Sequence, residues 1–184
     1  MNTEYSLNCL NPEFTVFTEF CLYFNMRLIG IDPGFARVGY AVIDQIGGQQ
    51  KLVDYGCLET KKDLSLSRRL LLIADGLRDL IKKYQPQLAA VEKLFFFKNL
   101  KTAIDVAQAR GAILLTLEEA KLPIVELTPL QVKQALTGYG RADKQQLARL
   151  LQLILKLPAK IKQDDASDAV AIALAGLSYQ QPSR

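Results

Sequence analysis

Histidine is absent from all 184 residues. That gap excludes imidazole metal ligands, an imidazole general base and every Ser-His nucleophile arrangement. Cysteine is scarce: Cys9, Cys21 and Cys57 match no metal-ligand spacing and leave an odd thiol over. This usage fits a reducing compartment rather than a disulfide framework. No apolar run reaches the ~18 residues that a membrane-spanning helix needs. Catalysis, where present, is left with carboxylates, Lys, Tyr, Cys or a hard cation held through oxygen.

What is present is unevenly spread. Nearly half the residues are hydrophobic, enough for a real core, and the net charge is +4. Residues 1–25 hold Glu4, Glu13 and Glu19 and neither Lys nor Arg, so residues 26–184 carry +7. A moderately basic domain fits a polyanionic partner. Residues 1–25 also lack a clear hydrophobic period and the marks of a signal peptide. They read as a poorly ordered extension, with the functional domain at 26–178 and a polar tail at 179–184.

The chain centres on Leu28-Ile29-Gly30-Ile31-Asp32-Pro33-Gly34. A short apolar run closed by Pro and Gly predicts a strand buried on both faces. Val38–Asp44 and Lys51–Glu59 follow as antiparallel strands around a Gly47-Gly48 turn. Helical spacing over Asp63–Tyr84 stops at Pro86. Leu88–Glu92 and Ile124–Leu127 are two more short strands. Helices are expected at Asn99–Ala120, capped by Asn99 or Thr102, and from Pro129 to about Leu136. Two more are expected over Asp143–Leu157 and Asp164–Leu177. On the Asn99–Ala120 helix, Ile104, Ala107, Gly111, Leu114, Leu115 and Glu118 mark one side, and close packing at Ala107 and Gly111 is one reason for a helical glycine. The order describes an α/β fold: a mixed sheet of about five strands, antiparallel first and parallel later, with helices on both faces.

Four acids sit in apolar company. Asp32 and Glu92 end two buried strands. Asp165 and Asp168 are three apart, on one face of the last helix. Taken singly, each has a plain structural role open to it: a turn, a solvated strand end, or a helix N-terminus. Taken together, neighbouring first and fourth strands would bring Asp32 and Glu92 to one place, and the helix start would add the other two. Carboxylates so crowded repel unless protonated or bridged by cations. Mg²⁺ or Mn²⁺ suits such all-oxygen ligands. Two ions about 3.5–4 Å apart would support in-line attack of water on a phosphodiester.

Several stretches carry a specific resemblance. They are Gly30-Ile31-Asp32-Pro33-Gly34 with Gly39, Val91-Glu92-Lys93-Leu94-Phe95-Phe96-Phe97-Lys98-Asn99, Ala107-Gln108-Ala109-Arg110-Gly111, Gln131-Val132-Lys133-Gln134 and Asp165-Ala166-Ser167-Asp168-Ala169. Over about residues 26–178 the chain resembles the RuvC family of bacterial Holliday junction resolvases. The resemblance implies a ribonuclease H-like fold, a homodimer built on the Asn99–Ala120 helix, and Mg²⁺ dependence with Mn²⁺ as a substitute. The four acidic motif positions match Asp32, Glu92, Asp165 and Asp168. The third is His in some members and Asp in others, which suits a chain without histidine. The implied activity is paired symmetric nicking of four-way DNA junctions in the bacterial cytoplasm, beside the RuvA and RuvB branch-migration proteins. Lys133 and Lys144 match basic positions near the scissile phosphate, and Phe95 matches the junction-side aromatic. Lys98 and Arg141 are further candidate DNA contacts, although lone cations usually form a solvated face. Residues 1–25 have no counterpart in the family pattern. Rival readings are a related nuclease acting on RNA, a non-catalytic DNA-binding module, and the ATP-binding half of an actin-like kinase.

Overall fold

A computed structural model of the chain describes residues 25–94 and 100–179. Five strands form one sheet: β1 (Met26–Asp32), β2 (Arg37–Ile46), β3 (Gln49–Glu59), β4 (Leu88–Glu92) and β5 (Ile124–Leu127). Among the described residues five helices accompany them: α1 (Leu66–Tyr84), α2 (Leu100–Glu119), α3 (Pro129–Thr137), α4 (Lys144–Ile154) and α5 (Asp164–Ser178). The spatial order is β3-β2-β1-β4-β5. β1 therefore lies at the centre, antiparallel to β2 and parallel to β4.

Alternation along β1 decides which side of the sheet each residue serves. Leu28 joins Ala41 and Ile43 of β2, Leu88 and Ala90 of β4, and the Ala169–Ala175 run of α5 in one core. Ile29 and Ile31 join Val42, Ala89, Val91, α1 and α2 in the other. Helices thus cover both faces, as the sequence pattern predicts. By the same alternation Gly30 and Asp32 share the α5 side with Leu28. Gly30 has a packing reason: a Cβ there would lie 2.4 Å from the Ala169 carbonyl oxygen. The alanine-rich helix therefore rests almost directly on the strand backbone.

Element ends follow local chemistry. α1 starts three residues later than its periodicity suggests, because Ser65 caps it by accepting from the Arg68 N–H. It ends at Gln85, whose φ of 48° turns the chain away from the helix. Thr128 and Asp143 each form a reciprocal capping box with the Gln three residues on. α4 ends at Ile154, short of the expected Leu157, and Lys156 turns left-handed with φ 50°.

α2 differs from expectation in two ways. Thr102 lies inside the helix, so it does not cap it, and Asn99 lies outside the described residues. Of the marked apolar side only Leu114 packs against the core; Ile104, Ala107, Gly111, Leu115 and Glu118 face away from it. Ala109, Ile113 and Leu117 are fully buried, whereas Ile104 and Leu115 are 64% and 62% exposed. α2 is apolar on two sides, and periodicity alone does not rank two stripes.

Candidate active site

Asp32 is the last residue of β1. The parallel register pairs Ile31 with Val91, so Glu92 stands beside Asp32 on the next strand. Both continue the α5 side of their strands. The antiparallel register pairs Asp32 with Gly39 on the opposite neighbour. Gly39 is where α5 begins to cross the sheet. A Cβ at that position would lie 2.1 Å from the Asp165 carbonyl oxygen. The first turn of α5 thus lands next to Asp32, and Asp168 follows Asp165 one turn later. Three separate segments converge because two adjacent strands end together and a glycine admits a helix beside them.

The alternative that the α5 acids merely cap the helix does not describe them. Gln163 occupies the cap position, without a side-chain cap hydrogen bond. Asp165 instead meets Arg37 of β2, with Nε at 2.8 Å from Oδ2. Asp168 meets Lys144, the first residue of α4, at 3.5 Å, and the same ammonium lies 3.9 Å from Asp164.

Burial and crowding leave these acids poorly solvated. Asp32 is pushed up to about 7, first by burial and then by the charges of Glu92, Asp168 and Asp165, with Lys144 opposing. Burial, then Asp168, likewise raises Glu92 to about 7. Burial also raises Asp168, and Lys144 works against the shift. Near neutrality two carboxyls are therefore poised between holding a proton and accepting a cation.

This donor set fits a hard divalent cation in composition: oxygen atoms only, several of them anionic and repelling one another. Among the described residues, however, no group of three or more Asp, Glu, His or Cys side chains is arranged to hold a metal ion. The ammonium of Lys144 and the guanidinium of Arg37 stand at two of the carboxylates instead. Both cations are more than half exposed, so neither is locked in by packing.

Other predicted residues are placed less closely. Lys133 lies half-buried on α3, and Arg141 is exposed on the loop before α4. Among the described residues neither makes an ion pair with the four acids. Phe95 and Lys98 lie outside the described residues. Residues without an assigned role in the sequence reading also enter the site. Arg110 sits inside a stretch quoted for the resemblance, and Arg37 lies between two quoted parts, Gly34 and Gly39. Arg110 donates from Nε to the Glu92 carbonyl at 3.3 Å and pairs through Nη2 with Glu126 of β5. It ties α2 to the end of the strand that carries Glu92.

The family model "Crossover junction endodeoxyribonuclease RuvC" matches residues 28–176. A protein of that description from Roseiflexus sp. is 54% identical over 148 residues, covering 80% of this chain and 88% of the relative. The Petrotoga mobilis counterpart is 53% identical over 148 residues, covering 80% and 91%. Among solved structures, T. thermophilus RuvC in complex with a Holliday junction substrate superimposes with a TM-score of 0.78 at 32% identity, covering 82% of this chain and 92% of that one. The sheet is thus of the ribonuclease H-like kind, and the four acids are carried by the very elements over which the match extends. A family model that matches residues 28–176, with relatives more than 50% identical over most of their length, makes this chain a member of the RuvC family of crossover junction endodeoxyribonucleases.

Proposed function

We propose that the protein resolves four-way DNA junctions by paired, symmetric, metal-dependent nicks, with Asp32, Glu92, Asp165 and Asp168 as the metal-holding carboxylates. One observation carries the assignment: the parallel register sets Asp32 beside Glu92, and Gly39 admits the acidic first turn of α5 next to both. Mg²⁺ is the proposed ion, two per site, with Mn²⁺ able to replace it. Bound there, it would supply a water activated for attack and an electrophile for the departing 3′ oxygen.

The chain's own residues do the rest. Asp32 and Glu92 release their protons near neutrality to become ligands. The Lys144 contact, at 3.5 Å and on an exposed side chain, is free to leave Asp168. Lys144 then reaches the scissile phosphate, with Lys133 and Arg141 holding the backbone alongside. Phe95 stacks on an unpaired base at the junction, and Lys98 adds a phosphate contact. Phosphate contacts of this kind fix position and carry no base identity.

The outward face of α2 is the proposed homodimer contact. Ile104 and Leu115 are exposed there, and a side chain at Gly111 would meet nothing within 4 Å in the monomer. A second copy can therefore approach the helix backbone closely. Two active sites so paired give two symmetric nicks. RuvA and RuvB are the proposed partners, and the bacterial cytoplasm the proposed compartment. Among the described residues no helix is long and apolar enough to cross a membrane. Residues 26–178 are taken as the nuclease domain and 1–25 as an extension.

A labelled mobile four-way junction, incubated with and without Mg²⁺, tests the assignment. Paired nicks that require the ion support it. Junction binding without cutting points to a non-catalytic module, and preferential cutting of structured RNA points to the rival nuclease.

A further inference from the structure

We infer that Arg69 is a positioning residue for the carboxylate site, acting through the loop between β1 and β2. The inference rests on the nuclease reading above and adds to it a buried support. Arg69 lies in the first turn of α1 and is only 7% exposed. Its Nε donates to Thr60 Oγ1 at 2.9 Å, and its Nη2 donates to the Phe35 carbonyl at 3.1 Å. The guanidinium also lies over the Phe35 ring, 3.5 Å from its centre. Thr60 closes the network: its hydroxyl donates to the Phe35 carbonyl at 2.9 Å, and its N–H donates to the Ala36 carbonyl at 3.0 Å.

All these contacts meet on Phe35 and Ala36. Those residues belong to the four-residue connection Pro33–Ala36, which starts at Asp32 and ends at Arg37. One end is a proposed metal ligand, and the other holds Asp165 at 2.8 Å. The connection has no slack, since a Cβ on Gly34 would fall 2.0 Å from the Arg37 carbonyl oxygen. Displacing Phe35 therefore moves Asp32 and Arg37 together.

Simple packing does not account for Arg69. Among the described residues it has no carboxylate partner, so its charge is buried without a counter-ion, which costs stability. It also sits at a helix N-terminus, where the dipole disfavours a cation. An apolar side chain would fill the same space more cheaply. What only a planar fork of donors supplies here is simultaneous hold on a loop carbonyl and on the hydroxyl that braces it.

The test compares full-length Arg69→Met and Arg69→Lys with Leu77→Ala, a core change two turns along the same helix. Single-turnover junction cleavage is followed across a Mg²⁺ titration, well below every melting temperature. The Mg²⁺-induced rise in melting temperature is measured without DNA, and junction binding is measured in EDTA. For Arg69→Met the expected result is a Mg²⁺ half-saturation or plateau rate about 10–100-fold worse, as for loss of an outer support of a metal site. Its Mg²⁺-induced thermal shift shrinks, while junction binding is kept. Arg69→Lys falls between Met and wild type. Leu77→Ala lowers the melting temperature yet keeps the wild-type Mg²⁺ dependence. Should Arg69→Met not fold, Thr60→Val removes the brace alone and is expected to shift Mg²⁺ dependence in the same direction. Wild-type Mg²⁺ dependence in the Arg69 or Thr60 variants, or the same defect in Leu77→Ala, overturns the inference. A wild-type protein that cuts no junction overturns the nuclease reading alone, because the Mg²⁺-induced thermal shift still judges the clamp.

Discussion

Asp32→Asn should make the metal-free protein more stable at pH 8 while abolishing cleavage. In the folded chain the Asp32 carboxyl is raised from 3.8 to about 7, chiefly by burial and by Glu92. The folded state therefore holds a proton between about pH 4 and 7 that the unfolded chain has released. Stability thus falls as pH rises through that window, and the loss is complete above pH 7. Roughly three units at about 1.4 kcal/mol each set a ceiling of about 4 kcal/mol. Asparagine keeps the shape and removes the charge, but its buried amide needs new partners, which takes back about 1–3 kcal/mol. The net gain is about 2 kcal/mol, or about 4–8 °C for a chain of this length. Thermal unfolding in EDTA at pH 5 and pH 8 measures it. At pH 5 the folded carboxyl is still neutral and only about 1–2 kcal/mol of the penalty has accrued, which the cost of the buried amide roughly offsets, so the two proteins should melt within a few degrees of each other. Cleavage with Mg²⁺ should fall by about a thousandfold or more, as for loss of a group that stabilises charge at the reacting phosphate. Junction binding should survive. A variant no more stable than wild type at pH 8, or a gain that ignores pH, would refute the crowding of charge on which the site is argued.

Three further outcomes follow from the same geometry. Mg²⁺ must displace protons from Asp32 and Glu92, both held to about 7, so its apparent affinity should rise with pH from 6 to 8, by roughly tenfold in all for each proton released and with most of the rise below pH 7; calorimetry at three pH values checks this, and a flat profile contradicts it. Gly39→Ala should separate α5 from the sheet, because its Cβ would fall 2.1 Å from the Asp165 carbonyl oxygen; loss of Mg²⁺-dependent cutting and a lower melting temperature are expected, and wild-type behaviour would mean that α5 yields easily. Leu115→Lys places a charge on the exposed side of α2 and should leave the fold intact while shifting the protein to monomer in analytical ultracentrifugation; an unchanged sedimentation profile removes α2 as the dimer contact.

Much of the fold was legible because β1 states its environment twice. An uninterrupted apolar run shows burial on both faces, and the Pro-Gly that follows shows where it stops. Leu88–Glu92 was legible as a short apolar run after Pro86 and Ile124–Leu127 by the Thr-Pro that follows it, and the structure keeps both boundaries. α2 was legible as a helix but not in its orientation. Ala109, Ile113 and Leu117 describe one stripe and Ile104, Gly111 and Leu115 another, and nothing local says which meets the sheet. Helix ends depended on caps: Thr128 and Asp143 announce themselves with a Gln three residues on, whereas Ser65 is followed by Arg68 at that spacing and gives no such mark.

The acids and the cations of the site differ in how they can be read. A carboxylate at the end of a buried strand is anomalous by itself, because burial of a charge demands a reason. Asp32 and Glu92 were conspicuous on that ground, and the spacing of Asp165 and Asp168 put them on one helical face. Arg37, Arg69 and Arg110 raise no such alarm, because arginine on a strand or helix is ordinarily a solvated residue. Their roles arise only from pairings across 34 residues in one case and more than 100 in another, Arg69 with Phe35 and Arg37 with Asp165. Spacing cannot show a contact of that range; sheet register can. The register that sets Asp32 beside Glu92 also lays Gly39 under α5, and once that glycine is under the helix, Arg37 two residues earlier has an acid within reach. The site's anions are thus a property of local sequence, and the groups that hold them in place are a property of topology.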